Sequence, residues 1–276
     1  MTIHILTITP NHVITVSDRL LYTPSGYIEL ADDRYKHLIL ICDNARVVTS
    51  FAGIAGIVFP SRKGKSIVKH ETIEWITKVF QETSKKAHGI DDHLNDLRDQ
   101  IQPHIDSLKR KYNLQSDTVK LAIQISGWVG TSQFNCVIDN YLDTSCRSSS
   151  TRPQFKTRHK IYGNEISKNR SNLFVIGREF LNEKNADLFD ELVKISKKEN
   201  PKEIFETSVK VIRAAAIYSN GRVGMNCSGV RISRNDSGIE AFDDRDQSVW
   251  DVVMPNTVLS TSKVSMTTSN MRGRNL

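Results

Sequence analysis

The chain has 276 residues and a formal net charge of +7, from 38 Lys and Arg against 31 Asp and Glu. Hydrophobic residues make up 38% and charged residues 25%, the composition of a globular domain rather than of a disordered or fibrous chain. No apolar run approaches the roughly 20 residues of a bilayer span, residues 1–6 lack the basic start of a secretory signal, and the cysteines (Cys42, Cys136, Cys146, Cys227) form no CxxC pair. That cysteine usage excludes a disulfide scaffold and fits a reducing, cytoplasmic compartment.

In chain order, Ile3, Ile5 and Ile8 alternate with polar residues over 3–9, which predicts a strand. Pro10-Asn11 turns it into a second strand over 12–16, so the chain opens with a hairpin. After a turn at 23–26, residues 36–42 and 46–52 predict another hairpin about Asp43-Asn44. The period then becomes helical. Ile73, Ile76, Val79 and Phe80 mark a helix over 71–86, capped near His70-Glu71. Leu94, Leu97, Ile101, Ile105 and Leu108 mark a second over 91–111, which Pro103 is expected to kink or divide. Strands follow at 118–126 and 134–139.

Residues 147–178 carry eight basic side chains (Arg147, Arg152, Lys156, Arg158, Lys160, Lys168, Arg170, Arg178) against one acid, Glu165, which accounts for the whole excess charge. Such a segment can attract acidic partners, but the more ordinary reading is a solvated loop. Nucleic acid is not an expected partner, because Phe155 and Tyr162 are too few for a stacking platform. A strand at 173–176, helices at 182–198 and 201–216, and a closing hairpin over 225–232 and 238–243 complete the pattern. Residues 260–276 read as a polar tail. Strands, two helices, strands, two helices and strands, with hairpins, exclude a doubly wound fold. They predict an α+β, four-layer αββα sandwich with two antiparallel sheets between helix pairs. One domain spans 1–250, with the basic segment 147–172 as an insertion-like part, and 251–276 is the polar C-terminal tail.

Thr2 directly after Met1, the strand end Val13-Ile14-Thr15-Val16-Ser17-Asp18-Arg19, Lys36 ahead of a strand, and Ser50-Phe51-Ala52-Gly53-Ile54-Ala55-Gly56 follow one another in order. Further on come Leu173–Gly177 and Ala216-Ile217-Tyr218-Ser219-Asn220. This ordered set resembles the N-terminal-nucleophile hydrolases of the proteasome β-subunit and HslV type. The resemblance implies a threonine endopeptidase, active in a homo-oligomeric ring on peptide or unfolded protein, often served by an ATP-dependent unfoldase. It implies no organic cofactor, no metal and no membrane partner. By the same resemblance Thr2 is the nucleophile, Asp18 and Lys36 support it, Gly53 is the oxyanion donor, and Arg19 and Ser219 stand beside the site.

The chemistry explains each part. A threonine hydroxyl needs an adjacent base. Once Met1 is removed, the Thr2 α-amino group, with a reference pKa of about 8, can take that proton. A lysine ammonium nearby lowers the pKa of both amine and hydroxyl, and an aspartate holds the lysine. A backbone N–H unobstructed by a side chain can receive the oxyanion.

Two departures stand out. Where the family has an acid shortly before the Tyr-Ser/Thr stretch, this chain reads Arg213-Ala214-Ala215-Ala216, and where it has a serine after Val175-Ile176-Gly177, this chain has Arg178. A catalytically silent scaffold or gating subunit is therefore the alternative of another class, and a small-molecule amidase is a third. Elsewhere, Cys136 and Cys146 with His159 follow no nucleophile spacing, His88, His93 and His104 read as solvated, and 221–224 lacks the residues of a phosphate loop.

Overall fold

The computed structural model describes residues 3–23, 26–29, 36–60, 66–114, 119–141, 151–162, 172–176, 186–220, 223–235, 238–244 and 255–262. The opening hairpin is β1 (His4–Ile8) and β2 (His12–Asp18), followed by the small hairpin β3 (Leu20–Thr23) and β4 (Gly26–Glu29). Next come β5 (His37–Cys42), β6 (Ala45–Gly53), and a further hairpin, β7 (Gly56–Pro60) and β8 (Ser66–Glu71), that the sequence reading does not anticipate. The first helix pair is α1 (Thr72–Ser84) and α2 (Ile90–Tyr112). Three longer strands, β9 (Leu121–Val129), β10 (Ser132–Tyr141) and β11 (Thr151–Tyr162), lead to β12 (Asn172–Ile176). The second helix pair is α3 (Ala186–Ser196) and α4 (Pro201–Tyr218), and β13 (Cys227–Ser233), β14 (Ile239–Asp244) and β15 (Asn256–Ser260) close the chain.

The described strands build two large sheets. One has the order β12-β1-β2-β13-β14 with every pair antiparallel. The other has the order β11-β10-β9-β6-β5-β15, antiparallel except for the β15–β5 pair. Their inner strands β1, β2, β13, β5, β6, β9 and β10 are buried along nearly their whole length, while β11, β12, β14 and β15 at or near the edges are more exposed. Consecutive residues serve opposite faces. Ile3, Ile5, Ile14 and Val16 pack with Leu192 of α3 and with Ile204, Val211, Ile212 and Ala215 of α4. Their neighbours Leu6, Ile8 and Val13, with Val230 and Ile232, meet Ile39, Val48 and Trp128 of the other sheet. On that sheet's far side Leu38, Leu40, Val47, Phe51, Ile123 and Ile125 pack with Ile76 and Phe80 of α1 and Leu97, Ile101 and Ile105 of α2. The Trp128 indole N–H reaches across to the Ile232 carbonyl at 3.1 Å, tying sheet to sheet.

Four expectations are corrected. The basic segment is not all loop: residues 151–162 form β11, an edge strand paired with β10, and only its flanks lie outside the described residues. Lys156 is exposed while Phe155 turns toward α2, whose Gln102 side chain accepts the Phe155 N–H at 3.1 Å. Basic side chains on an edge strand oppose edge-to-edge pairing, so charge and strand formation are compatible. Pro103 does not divide α2, which runs unbroken. Its missing N–H costs one intrahelical bond, while Ile101 and Ile105 on either side remain fully buried. His93 is not solvated but wholly buried, bonded through Nε2 to the Ser260 hydroxyl at 2.8 Å. Finally, residues 256–260 of the expected tail form β15. Val258 is buried with the core and Ser260 donates to the Ala87 carbonyl at 3.1 Å, while 263–276 lie outside the described residues.

β6 and β9 approach closely at Gly127. A Cβ built there would stand 2.1 Å from the Arg46 carbonyl oxygen. Gly127→Ala therefore forces the two central strands apart, and urea unfolding should show a loss of about 1–3 kcal/mol, the usual cost of overpacking.

Candidate active site

Asp18 ends β2, and its carboxylate is the convergence point of the site. It is fully buried and accepts the Ile3 N–H at 3.1 Å, the Leu20 N–H at 3.2 Å, the Gly224 N–H at 3.0 Å and the Lys36 ammonium at 3.2 Å. Lys36 stands just before β5 and is itself only 1% exposed. Ile3 is the residue next to Thr2, so the carboxylate bonds to the backbone one step from the expected nucleophile. Thr2 itself, like Arg178, lies outside the described residues.

Burial raises the Asp18 carboxyl above the usual carboxylate range, opposed by the Lys36 charge and by the Gly224 N–H. Burial likewise lowers the Lys36 ammonium, opposed by Asp18. The two proton affinities are thus drawn toward each other. Desolvating both groups is costly, and the four hydrogen bonds to the Asp18 carboxylate offset that cost.

Gly53 ends β6 with φ +110, a conformation that L side chains rarely adopt, and a Cβ there would lie 2.0 Å from the Lys120 carbonyl oxygen. The turn after it is pinned by Ile54 N–H to Lys120 O at 2.7 Å and by the Thr72 hydroxyl to Ile54 O at 2.8 Å. His37 pairs with Ser50, which puts Lys36 and Gly53 at the same end of the β5–β6 pair. Ser219 caps the end of α4. Its hydroxyl donates to Ala216 O at 2.9 Å and accepts the Val223 N–H at 3.0 Å, shaping the turn that delivers Gly224 to Asp18. Arg19 is buried, forms an ion pair with Asp243 at 3.6 Å, and donates its backbone N–H to Asn226 O at 2.9 Å.

Several neighbours escape the sequence reading. Cys227 pairs with Asp18 across β13 and β2. Behind the carboxylate, the layer between the sheets turns from apolar to polar. His4 Nε2 is hydrogen-bonded to the Thr15 hydroxyl and to Ser50 Oγ at 2.8 Å, and His37 lies 3.4 Å from both Thr15 Oγ1 and Ser228 Oγ. Burial pushes His4 down to about 3 and His37 well below its ordinary value, and the Lys36 charge adds to both. Only Gly224 carried a signal, as a glycine in a loop after a helix. The histidines looked like any polar residue of an alternating strand.

The arrangement belongs to a known class of fold. The chain shares its overall fold with a solved structure at low sequence identity. That statement rests on the Anbu (Gly-1) mutant from Hyphomicrobium sp. strain MC1, to which this chain is similar with a TM-score of 0.52 at 10% identity, covering 88% of this chain and 87% of that one. Thiobacillus denitrificans BPH is more distant in shape, with a TM-score of 0.43 at 11% identity over 85% of this chain and 99% of its own. No protein-family model matches the chain, and no curated protein does. Among the described residues, no helix is long and apolar enough to cross a membrane.

Two outcomes follow from the electrostatics. Asp18→Asn leaves the Lys36 ammonium buried without its counter-charge, and unfolding at pH 7 should reveal a loss of about 3–5 kcal/mol. His4 stays neutral when folded but takes a proton near its ordinary 6.5 when unfolded. Its contribution is therefore whole above pH 6.5 and is lost toward about pH 3, by up to roughly 1.4 kcal/mol per pH unit. Unfolding series at pH 7 and pH 5 should accordingly show His4→Gln losing less stability on acidification than the parent; equal losses would refute the assignment.

Proposed function

We propose that the chain is a threonine-type peptidase whose nucleophile is Thr2 after removal of Met1. The observation that carries this is the buried Asp18–Lys36 pair, with its carboxylate anchored to the Ile3 amide beside Thr2. In this reading the Thr2 amine takes the hydroxyl proton and the oxygen attacks the peptide carbonyl. The tetrahedral oxyanion is received at the Gly53 turn, the amine of the product leaves, and an ester to Thr2 remains. Water activated by the same amine then hydrolyses the ester. Lys36, positive and close, favours the anionic forms, and Asp18 holds Lys36 in place.

The three apolar clusters support an αββα layering, with the helix pairs outside and the sheets within. Residues 1–250 form the peptidase domain in this reading. By its resemblance to ring-forming relatives, the chain works as a homo-oligomeric ring on unfolded polypeptide delivered by an ATP-driven unfoldase. The basic strand β11 faces an entrance or a neighbouring subunit with acidic character. The competing reading, a silent scaffold, draws on the absence of an acid at 213–216.

Intact mass before and after a peptide epoxyketone decides between them. Loss of Met1 and a single adduct on Thr2 is the expected result, with Thr2→Ala unlabelled, inactive and unchanged in assembly. Retained Met1 would end the peptidase reading.

A further inference from the structure

The α4 segment carries no acid at 213–216, and a buried carboxylate lies elsewhere beside the Asp18 corner. Positions 215 and 216 cannot supply one at low cost, because Ala215 and Ala216 are buried in an apolar cluster with Ile3, Val209 and Cys227. A carboxylate there would be desolvated among aliphatic groups. Arg19, immediately after Asp18, instead meets Asp243 of β14 at 3.6 Å, with side chains only 1% and 8% exposed. The register explains how so distant a residue arrives. Ser228 pairs with Ser17 on one side and with Asp243 on the other, so Asp243 lies in the same row as the residue two before Arg19. Directly paired residues project to the same face of a sheet, and Arg19 follows Ser17 at the strand period. The preceding Phe242 faces the other way and stacks on Phe205 of α4, with ring centroids 4.7 Å apart, which fixes β14 against the helix.

We propose that Asp243 is a positioning residue of this site, holding Arg19 and thereby the Asp18–Leu20 corner from which the Asp18 carboxylate reaches Ile3, Gly224 and Lys36. The corner is clamped from two sides. The 224–226 segment bonds to it through Gly224 N–H and Asn226 O, and β14 bonds to it through the ion pair. Without Asp243, the buried guanidinium next to Asp18 loses a carboxylate partner, and its hold on the corner loosens. The inference rests on the peptidase reading only for its consequence in turnover; the clamp itself is a property of the chain whether or not it is active.

The test uses the full chain with Asp243→Asn and Asp243→Glu, and Glu240→Gln on the same strand as control. Hydrogen–deuterium exchange of peptides covering 15–22 and 219–226 reads the clamp directly. Asp243→Asn should speed their exchange with α2 unchanged, and Asp243→Glu should restore most of the protection. Epoxyketone labelling of Thr2 should slow by roughly 10- to 100-fold in Asp243→Asn, the scale expected when a catalytic group is displaced. Its acid limb should move to lower pH, because removing the Asp243 carboxylate makes the surroundings of the Thr2 amine more positive and opposes its protonation. Wild-type exchange in Asp243→Asn would overturn the inference whatever the activity, and so would wild-type labelling with an unmoved pH profile. Accelerated exchange in a protein whose Thr2 is never labelled would uphold the clamp and remove the peptidase reading instead.

Discussion

A carboxylate in the interior is costly to desolvate, and Asp18 offsets that cost by collecting partners from across the chain: Ile3 at the start of β1, Leu20 beyond its own strand, Gly224 after α4, and Lys36 before β5. Each partner is delivered by a different element, so the bonds form together only when the hairpin, the second sheet and the α4 turn are all in place. The first strand, whose end carries Thr2, is thus held by the same group that tunes the lysine beside it. Structure and chemistry converge on one oxygen pair.

The space between the sheets is arranged around that constraint. At one end it is apolar, filled by Leu6, Ile8, Val13, Ile39, Val48, Trp128, Val230 and Ile232. Toward Asp18 and Lys36 it becomes a set of hydrogen-bonded hydroxyls and neutral histidines, His4 and His37 with Thr15, Ser50 and Ser228. The apolar end supplies cohesion, and the polar end supplies fixed dipoles around a lysine, while burial above all keeps the histidines uncharged. Neutral imidazoles tolerate a neighbouring ammonium that protonated ones would repel.

Much of the architecture was legible because the inner strands are buried along their length and the helices α1, α2 and α4 each bury one apolar stripe. The strand runs and the three-and-four spacing therefore stand out. What escaped were elements whose formation depends on partners. β15 is five residues with a single deeply buried apolar side chain, Val258, and exists through its parallel pairing with β5. β11 is masked by its own basic side chains, and β7–β8 by a Gly- and Lys-rich link. His93, among charged residues of an amphipathic helix, looked solvent-facing, yet it sits on the buried stripe beside Leu94 and Leu97 and finds Ser260 far along the chain.

For the site, the sequence alone named the residues expected to matter, Thr2 after Met1, an aspartate at a strand end, a lysine before another strand and a glycine at a turn, because ordered short motifs survive without any knowledge of contacts. It also determined that residues 213–216, before Tyr218-Ser219, carry no acid. Only the tertiary structure decided that Asp18 and Lys36 are buried and paired, that Ser219 is spent on a helix end, and that Asp243 reaches Arg19. Those facts depend on strand register and on the desolvation of particular atoms. Two strands paired one residue out of step would have the same sequence and none of these contacts.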